Sequence, residues 1–118
     1  MIYPIPPKGF VAVGRERWTK RATDYFKWKQ DCQKLGVEVP DAGCVVVFSI
    51  AMPKSWSKKK KASMLGKAHQ QKPDLSNCIK AFEDAARYGQ ERGDQTIWHY
   101  GGLMKIWSEN GSIEVRTP

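Results

Sequence analysis

The segment from Lys72 to Lys80 contains residue types that could support phosphodiester chemistry. Its sequence is KPDLSNCIK, in which Asp74 begins a predicted helix directly after a lysine-rich stretch without acidic residues. Metal-assisted cleavage of nucleic acid needs carboxylates that hold a hard cation and basic side chains that hold the phosphates. The segment therefore indicates a metal-dependent enzyme that acts on nucleic acid, although Ser76 stands where a second carboxylate would be useful.

Two further aspartates follow this segment at different distances. Asp84 lies about three helical turns beyond Asp74, or roughly 15 Å at 1.5 Å per residue, which excludes a shared metal ion. A structural, dimer-related or supporting role is therefore expected for Asp84. Asp94 follows Gly93 just before a predicted strand. Asp74 and Asp94 are the candidate metal ligands, while a helix N-cap and a turn residue are their ordinary alternatives.

The clearest predicted helix runs from Asp74 to Tyr88. At 100° per residue, its apolar side chains share one face: Leu75, Cys78, Ile79, Phe82, Ala85 and Ala86. The opposite face carries the polar side chains Ser76, Asn77, Lys80, Asp84 and Arg87. Lys80 could orient a phosphate there or offset charge in the transition state, and it could equally be an ordinary solvated lysine.

Positive charge is concentrated in one region of the chain. The formal net charge is +8 at pH 7, and residues 54–72 hold no acid but seven lysines: Lys54, Lys58, Lys59, Lys60, Lys61, Lys67 and Lys72. Residues 73–118, by contrast, hold five basic and seven acidic residues. This local excess predicts contact with nucleic-acid phosphates, with a solvated loop as the alternative. Trp56 beside the lysines could stack on a base or pack on the fold.

Length and composition indicate one globular domain spanning residues 1–118, since hydrophobic residues make up 41% of the chain and charged residues 27%. The three cysteines form no CxxC pair; Cys44 and Cys78 are predicted core residues, as expected in a reduced cytosolic protein. His69 and His99 lie far from any cysteine pair, which argues against zinc. The longest apolar run, Cys44–Met52, is too short to span a membrane. A P-loop and a GxGxxG motif are absent, so no nucleotide cofactor is indicated.

The remaining elements follow from local patterns. A helix is predicted over Lys20–Leu35, and the β-branched run Cys44–Ala51 predicts a central strand. Ser55–Met64 could form a short basic helix with Ser55 or Ser57 as its cap.

Two more strands are predicted near the end of the chain. The first covers Gln95–Trp107, where Gly101 and Gly102 indicate a bulge or a close backbone approach. The Asn-Gly pair at 110–111 is a hairpin signal, and the alternating segment Ser112–Thr117 predicts an edge strand.

Taken together, several motifs resemble the RusA family of phage and prophage Holliday-junction resolvases. They are the segments 52–60 (MPKSWSKKK), 69–74 (HQQKPD) and 94–98 (DQTIW), with Asn77, Lys80 and Asp84-Ala85. The similarity also includes the proline-rich start and the Trp18–Lys29 segment, so it covers nearly the whole chain. The combination is specific, although no single motif is.

The resemblance implies a small α+β domain in which helices pack on a mixed or antiparallel sheet. It further implies a homodimer that binds branched DNA at four-way junctions and cleaves two like strands symmetrically, with Mg²⁺ as cofactor or Mn²⁺ as its substitute. Neither a membrane nor a nucleotide cofactor is implied. The expected location is the cytoplasm of a bacterial host, with the protein encoded by a phage or prophage.

Site residues are carried over from the family pattern, Lys/Arg-Pro-Asp-x-Asp-Asn followed by a later Asp-Asp pair and a lysine one helical turn beyond the first motif. Asp74 matches the first acid, Asn77 the asparagine and Lys80 the lysine. Asp94 matches the second member of the late pair. The resemblance thus implies catalysis by Asp74, Lys80 and Asp94, metal binding by the two aspartates, and DNA binding by Trp56 and the lysines of residues 54–72.

Two departures from the family pattern affect the expected chemistry. Ser76 replaces the second acid of the first motif, and Gly93 replaces one acid of the late pair. A neutral hydroxyl is a weak Mg²⁺ ligand, so these changes should weaken metal binding. Glu91 could act as a substitute ligand, with Glu83 a less convenient one. A second hypothesis is that the protein binds junctions but is catalytically weakened or inactive. A third hypothesis is a basic DNA-binding protein without junction preference.

Overall fold

A computed structural model describes residues 1–12 and 19–118 of the chain; Trp18, in the segment that carries the family resemblance, lies outside them. The elements are β1 (Ile2–Tyr3), α1 (Lys20–Lys34), β2 (Cys44–Ala51), α2 (Lys58–Met64), α3 (Leu75–Arg87), a 3₁₀ turn (Asp94–Thr96), β3 (Tyr100–Ser108) and β4 (Ser112–Arg116). The predicted α+β class is therefore confirmed. In the described part of the chain, no helix is long and apolar enough to cross a membrane.

The four strands form one mixed sheet in the order β1-β4-β2-β3. β2 is parallel to β3 and antiparallel to β4, so it occupies the interior of the sheet, as its continuous β-branched sequence predicts. A register shift between Cys44 and Val45 faces Gly101, where an added Cβ would come 3.0 Å from the Gly43 carbonyl oxygen. The predicted bulge and close backbone approach are confirmed.

Helices α1 and α3 pack together over the apolar core. The core cluster contains Tyr25, Trp28 and Cys32 from α1, Cys78, Ala81, Phe82 and Ala85 from α3, and Val46, Phe48, Ile113 and Val115 from the sheet. The bounds of both helices agree with the prediction to within a residue, because an amphipathic repeat is a strong local signal. Cys44 and Cys78 are buried, as predicted.

The first half of the predicted strand Gln95–Trp107 is wrong. The strand begins only at Tyr100, since residues 94–96 form a 3₁₀ turn. The Thr96 hydroxyl donates to Asp41 Oδ1 at 3.0 Å, and the Arg87 guanidinium donates to the Gly93 carbonyl at 3.2 Å. Because Asp41 is 55 residues from Thr96, local sequence does not encode this turn.

The hairpin prediction and the edge-strand prediction are also wrong. β3 and β4 do not pair with each other, because β2 lies between them and β1 covers the other side of β4. Their ends at Ser108 and Ser112 pair with Ala51 and Ser49 of β2. The connection at residues 109–111 therefore crosses the end of β2, a span of two strand spacings or about 10 Å. An Asn-Gly turn sets the reversal of the chain but not which strand lies beside it.

Arg87, which helical periodicity places on the polar face of α3, has a buried side chain. Only 8% of the side chain is exposed. Its Nη2 donates to the Val39 carbonyl at 2.6 Å and to Asp41 Oδ1 at 2.9 Å. Periodicity alone could not reveal this, because the partners come from the chain before β2.

Candidate active site and basic surfaces

Asp74 presents its carboxylate at the N-terminal end of α3. Its backbone adopts the extended N-cap conformation, and its carbonyl accepts the Cys78 N–H at 2.9 Å. The Asp74 side chain, however, makes no capping hydrogen bond to α3, all of whose residues are described. The residue itself is exposed. Asp74 thus fills the N-cap position without using its carboxylate for capping, which leaves that group accessible to a ligand.

Lys105 of β3 fixes the loop that precedes Asp74, a role that sequence reasoning missed. Its Nζ donates to the carbonyls of Gln71 and Pro73, both at 2.7 Å. The backbone of the same loop joins β3, because the His69 N–H donates to the Lys105 carbonyl at 3.0 Å. The one available signal was a charged residue inside the otherwise uncharged strand sequence YGGLMKIWS.

Asp74 is one of the residues that line an open cleft of about 530 Å³, which we call the Asp74 cleft. Its charged and polar lining consists of Lys8, Arg21, Lys72, Asp74 and Asn77. Among the described residues that line it, Asp74 is the only acid. The cleft therefore carries a net positive charge around a single carboxylate, an arrangement suited to a phosphate group.

Lys80 and Asn77 lie close to this cleft. The Asn77 carbonyl accepts the Phe10 N–H at 3.1 Å, and Lys80 Nζ lies 4.2 Å from the centroid of the Phe10 ring. Ser76 is exposed on the first turn of α3. Asp74 and Asn77 therefore line the cleft, and Lys80 contacts one of the residues in its wall.

Asp94 lies beside the opposite end of that helix. Asp94 is the first residue of the 3₁₀ turn. The carbonyl of the preceding residue, Gly93, accepts a hydrogen bond from Arg87, the last residue of α3. From Leu75 to Arg87 the helix rises about 18 Å. Within the described ranges 1–12 and 19–118, no three His, Cys, Asp or Glu side chains converge on a metal-binding geometry. Within one chain, Asp74 and Asp94 thus lie near opposite ends of α3.

Glu83 lies close enough to Asp94 for the charge of Asp94 to affect its pKa. Tyr100 donates its hydroxyl to Glu83 Oε2. Burial raises the pKa of Glu83, and the charge of Asp94 raises it further, against the opposing effects of Tyr100 and Arg87. Glu91, the substitute ligand favoured by sequence, is exposed in the segment after α3. The charge of Asp94 thus acts on Glu83, which sequence reasoning ranked below Glu91 as a substitute ligand.

Asp84 has a structural environment. It accepts a hydrogen bond from the Tyr25 hydroxyl at 2.8 Å, and Lys29 Nζ lies 3.1 Å from the same oxygen. Lys29 is buried, with its ammonium 4.2 Å from the centroid of the Tyr88 ring. Among the three roles left open for Asp84, these contacts favour the structural one, since they join α1 to α3.

The lysine-rich region divides into two surfaces. Helix α2 carries Lys58–Lys61 in its first turns, is capped by the Ser57 side chain, and buries none of its own residues, all of which are described. Lys54 and Lys67 are exposed nearby. Lys72, in contrast, lines the Asp74 cleft. The lysines of residues 54–72 are thus divided between an exposed surface on and near α2 and the lining of the Asp74 cleft.

Trp56 packs on the fold. Its ring centroid lies 4.8 Å from that of Trp107, and Lys60 Nζ lies 4.2 Å from the Trp56 centroid. The His69 ring packs against the same Trp107 in a tilted arrangement, with a centroid separation of 4.3 Å, and His69 is only 4% exposed. Within the described part of the chain, Nδ1 of His69 has no hydrogen-bond partner. Burial lowers the pKa of His69, and the positive charge of Lys105 lowers it further.

Comparison with known protein families gives a match over nearly the whole chain. The sequence model of a protein family described as Endodeoxyribonuclease RusA matches residues 4–117. The match covers both ends of α3, the basic helix α2 and the residues that line the Asp74 cleft. No curated protein and no solved structure matches the chain significantly.

Proposed function

Since the chain belongs to the RusA family of endodeoxyribonucleases, we propose that it is a structure-selective nuclease that cleaves four-way DNA junctions in recombination and repair. Members of this family resolve Holliday junctions and depend in general on divalent metal ions. The observation that carries the proposal for this chain is the Asp74 carboxylate, which caps nothing and faces a cleft lined with Lys8, Arg21 and Lys72.

The donor groups of a single chain supply only part of a divalent metal site. At the N-terminal end of α3 these donors are the Asp74 carboxylate and the Asn77 amide, with the neutral Ser76 hydroxyl between them in sequence. Mg²⁺ prefers oxygen ligands and is commonly held by one or two carboxylates together with water and substrate phosphates. The second candidate carboxylate, Asp94, lies beyond the other end of the helix.

A homodimer would complete the donor set. Residues 66–69 pair with the outer edge of β3. Among the described residues, this pairing involves β3 only from Lys105 onward. The outer edge at residues 100–104 is therefore available for a second copy of β3, and Trp98 and Met104 beside it are 77% and 41% exposed. Antiparallel pairing there would bring the segment before β3 of one copy toward Lys105 of the other. We propose that Asp74 and the partner's Asp94 hold the metal ion together.

Each residue at this site then has a chemical task. A divalent ion bound there would supply an activated water and stabilise the departing oxygen. Lys80 would offset charge on the phosphate in the transition state, and Lys72 would hold the adjacent backbone by charge-assisted hydrogen bonds. Lys105 would keep Asp74 in place through the loop carbonyls. The lysines of α2, with Lys54 and Lys67, would contact the DNA arms farther from the cleavage point.

Incubation of the purified protein with a synthetic four-way junction and Mg²⁺ or Mn²⁺ tests this function. We expect paired nicks in two like strands and loss of nicking in Asp74→Asn. Asp24→Asn, which removes an exposed carboxylate of α1 paired with Lys20 at 4.0 Å, is the matched control and should cut normally. Intact junction binding without nicking at any concentration of either metal would contradict the proposal.

Catalytic weakening is the second candidate function, and the exposed Ser76 on the first turn of α3 favours it. If the missing acid limits metal binding, Ser76→Asp should raise cleavage strongly, whereas Ser76→Asn should not. If the unmodified protein already cleaves the junction and both variants cut at the same rate, this second candidate is ruled out. Competition between a junction and a linear duplex of equal length separates both candidates from a protein without junction preference. A cytoplasmic location and a phage or prophage origin are part of the same proposal.

A further inference from the structure

The segment Pro7–Val11, which we call the N-terminal arm, is held tightly against the start of α3. Besides the hydrogen bond from the Phe10 N–H to the Asn77 carbonyl, Gly9 packs so closely that an added Cβ would lie 3.1 Å from the Pro73 Cβ. The Phe10 ring also contacts Tyr25 of α1 edge to face, with a centroid separation of 5.8 Å. The arm is therefore a fixed wall of the Asp74 cleft.

Two of the positive charges that line the Asp74 cleft come from outside the lysine-rich region of residues 54–72. Lys8 belongs to the arm and Arg21 to the first turn of α1, so the two come from parts of the chain well before residue 54. With Lys72 they surround one carboxylate, which gives three cations and one anion on the lining. Cations from three separate segments converge around Asp74, where the proposed function requires DNA phosphates.

Phe10 has a distinct part in this arrangement. Lys80 Nζ lies 4.2 Å from the centroid of its ring, which is the geometry of a cation–π contact. Since Lys80 and Tyr25 both contact the ring, we expect it to support Lys80 and not to stack on a base. The wall is thus suited to phosphate groups and not to base edges.

We propose that Lys8 and Arg21 bind the DNA phosphates that flank the cleaved one, and that Phe10 is a positioning residue for Lys80. This inference rests on the proposed function, because it assumes that the Asp74 cleft receives the DNA backbone. It adds to that function a second phosphate-binding element, built from the N-terminal arm and α1, which acts beside the lysines of α2. Both residues would contact phosphates irrespective of base sequence.

Salt titrations of junction binding in metal-free buffer test the roles of Lys8 and Arg21 without cleavage. Removal of one cation that neutralises a phosphate should reduce the slope of log affinity against log salt by about 0.9. We expect this reduction in Lys8→Ala and in Arg21→Ala, and roughly twice as much in the double variant. Lys34→Ala, which removes an exposed lysine from the last turn of α1, is the matched control and should keep the original slope.

Slopes for Lys8→Ala and Arg21→Ala that equal the slope for Lys34→Ala would overturn the assignment, even if the protein cleaves junctions. Reduced slopes in a protein that never cleaves would support the phosphate site while the proposed function fails. The two ideas therefore have distinguishable failures. A linear duplex of equal length should show the same reductions, since the contacts are to backbone.

Single-turnover cleavage tests the role of Phe10. Phe10→Leu keeps an apolar side chain but removes the aromatic ring, so the maximal rate should fall severalfold while junction affinity stays unchanged. Phe10→Tyr retains the ring and should restore the rate. A loss of affinity without a change in rate, or a Tyr variant as slow as the Leu variant, would contradict the positioning role.

Discussion

Both ends of helix α3 carry charged side chains, but these are paired within the chain at the C-terminal end and lie beside an open cleft at the N-terminal end. At the C-terminal end, Arg87 donates to Asp41, Thr96 and two backbone carbonyls, and Glu83 accepts from Tyr100. At the N-terminal end, the Asp74 carboxylate caps nothing and faces an open cleft. Charge that is already paired within the chain therefore holds the fold, whereas charge that faces a cleft is available to a ligand.

The largest expected effect on stability lies at the C-terminal end of α3. Arg87→Met would leave the Asp41 carboxylate and the Val39 carbonyl without this partner in a partly buried site. Removing one member of a fully buried ion pair costs about 3 kcal/mol or more. Asp41 is partly exposed and keeps Arg92 as a partner, so urea unfolding should show a smaller but clear loss of stability. Lys34→Met, on the exposed last turn of α1, is the control and should unfold like the original protein. Undiminished stability in Arg87→Met would contradict the structural role of this end.

Lys105→Met tests whether β3 holds the N-terminal end of α3 in place. The variant loses both 2.7 Å hydrogen bonds to the carbonyls of Gln71 and Pro73. A small displacement of Asp74 should reduce single-turnover cleavage about tenfold or more, since misplacement by 1 Å can cost about a hundredfold. Junction affinity should change much less. Lys105→Arg can still donate to the loop and should retain more activity; an unaffected cleavage rate in Lys105→Met would show that Lys105 does not position Asp74.

The two regions should also respond to pH with opposite sign. The pKa of Glu83 is raised by burial, so the folded state binds more protons than the unfolded state, and stability falls as pH rises through the folded pKa. Glu83→Gln should remove this decline above the ordinary glutamate pKa of about 4.3. Urea unfolding across that range measures the effect, and an unchanged pH profile in Glu83→Gln would argue against it.

His69, beside the loop that leads to Asp74, should behave in the reverse way. Burial and Lys105 lower its pKa, so its contribution is present above the unfolded pKa of about 6.5 and is lost as pH falls through the folded value. His69→Gln should make stability less sensitive to acid in this window. An acid response in His69→Gln equal to that of the original protein would contradict the assignment to His69.

Local sequence patterns predicted the parts of the fold that local physics determines. Helices α1 and α3 follow from amphipathic periodicity, and β2 follows from a continuous β-branched run. The 3₁₀ turn at Asp94–Thr96 escaped prediction because its Thr96 hydroxyl donates to Asp41, which is 55 residues away in sequence. The placement of β3 and β4 on either side of β2 escaped it because a turn sequence does not specify strand neighbours.

The candidate site shows the same division. The motif around Asp74 identified one end of α3, since the acid, the asparagine and the lysine are close in sequence. Lys105, Lys8 and Arg21 were missed because each reaches the Asp74 region from a different element. Sequence also suggested that Asp74 and Asp94 share a metal ion, but it could not reveal that α3 separates them within one chain.

Mixing two inactive variants tests directly whether Asp74 and Asp94 meet only between two copies of the chain. Asp74→Asn and Asp94→Asn should each fail to nick a four-way junction with Mg²⁺ or Mn²⁺. After the two proteins are unfolded together and refolded, each mixed dimer should contain one intact pair, so nicking of a single strand per junction should return. Nicking that does not return, although mass spectrometry detects mixed dimers, would contradict a metal site shared between two copies.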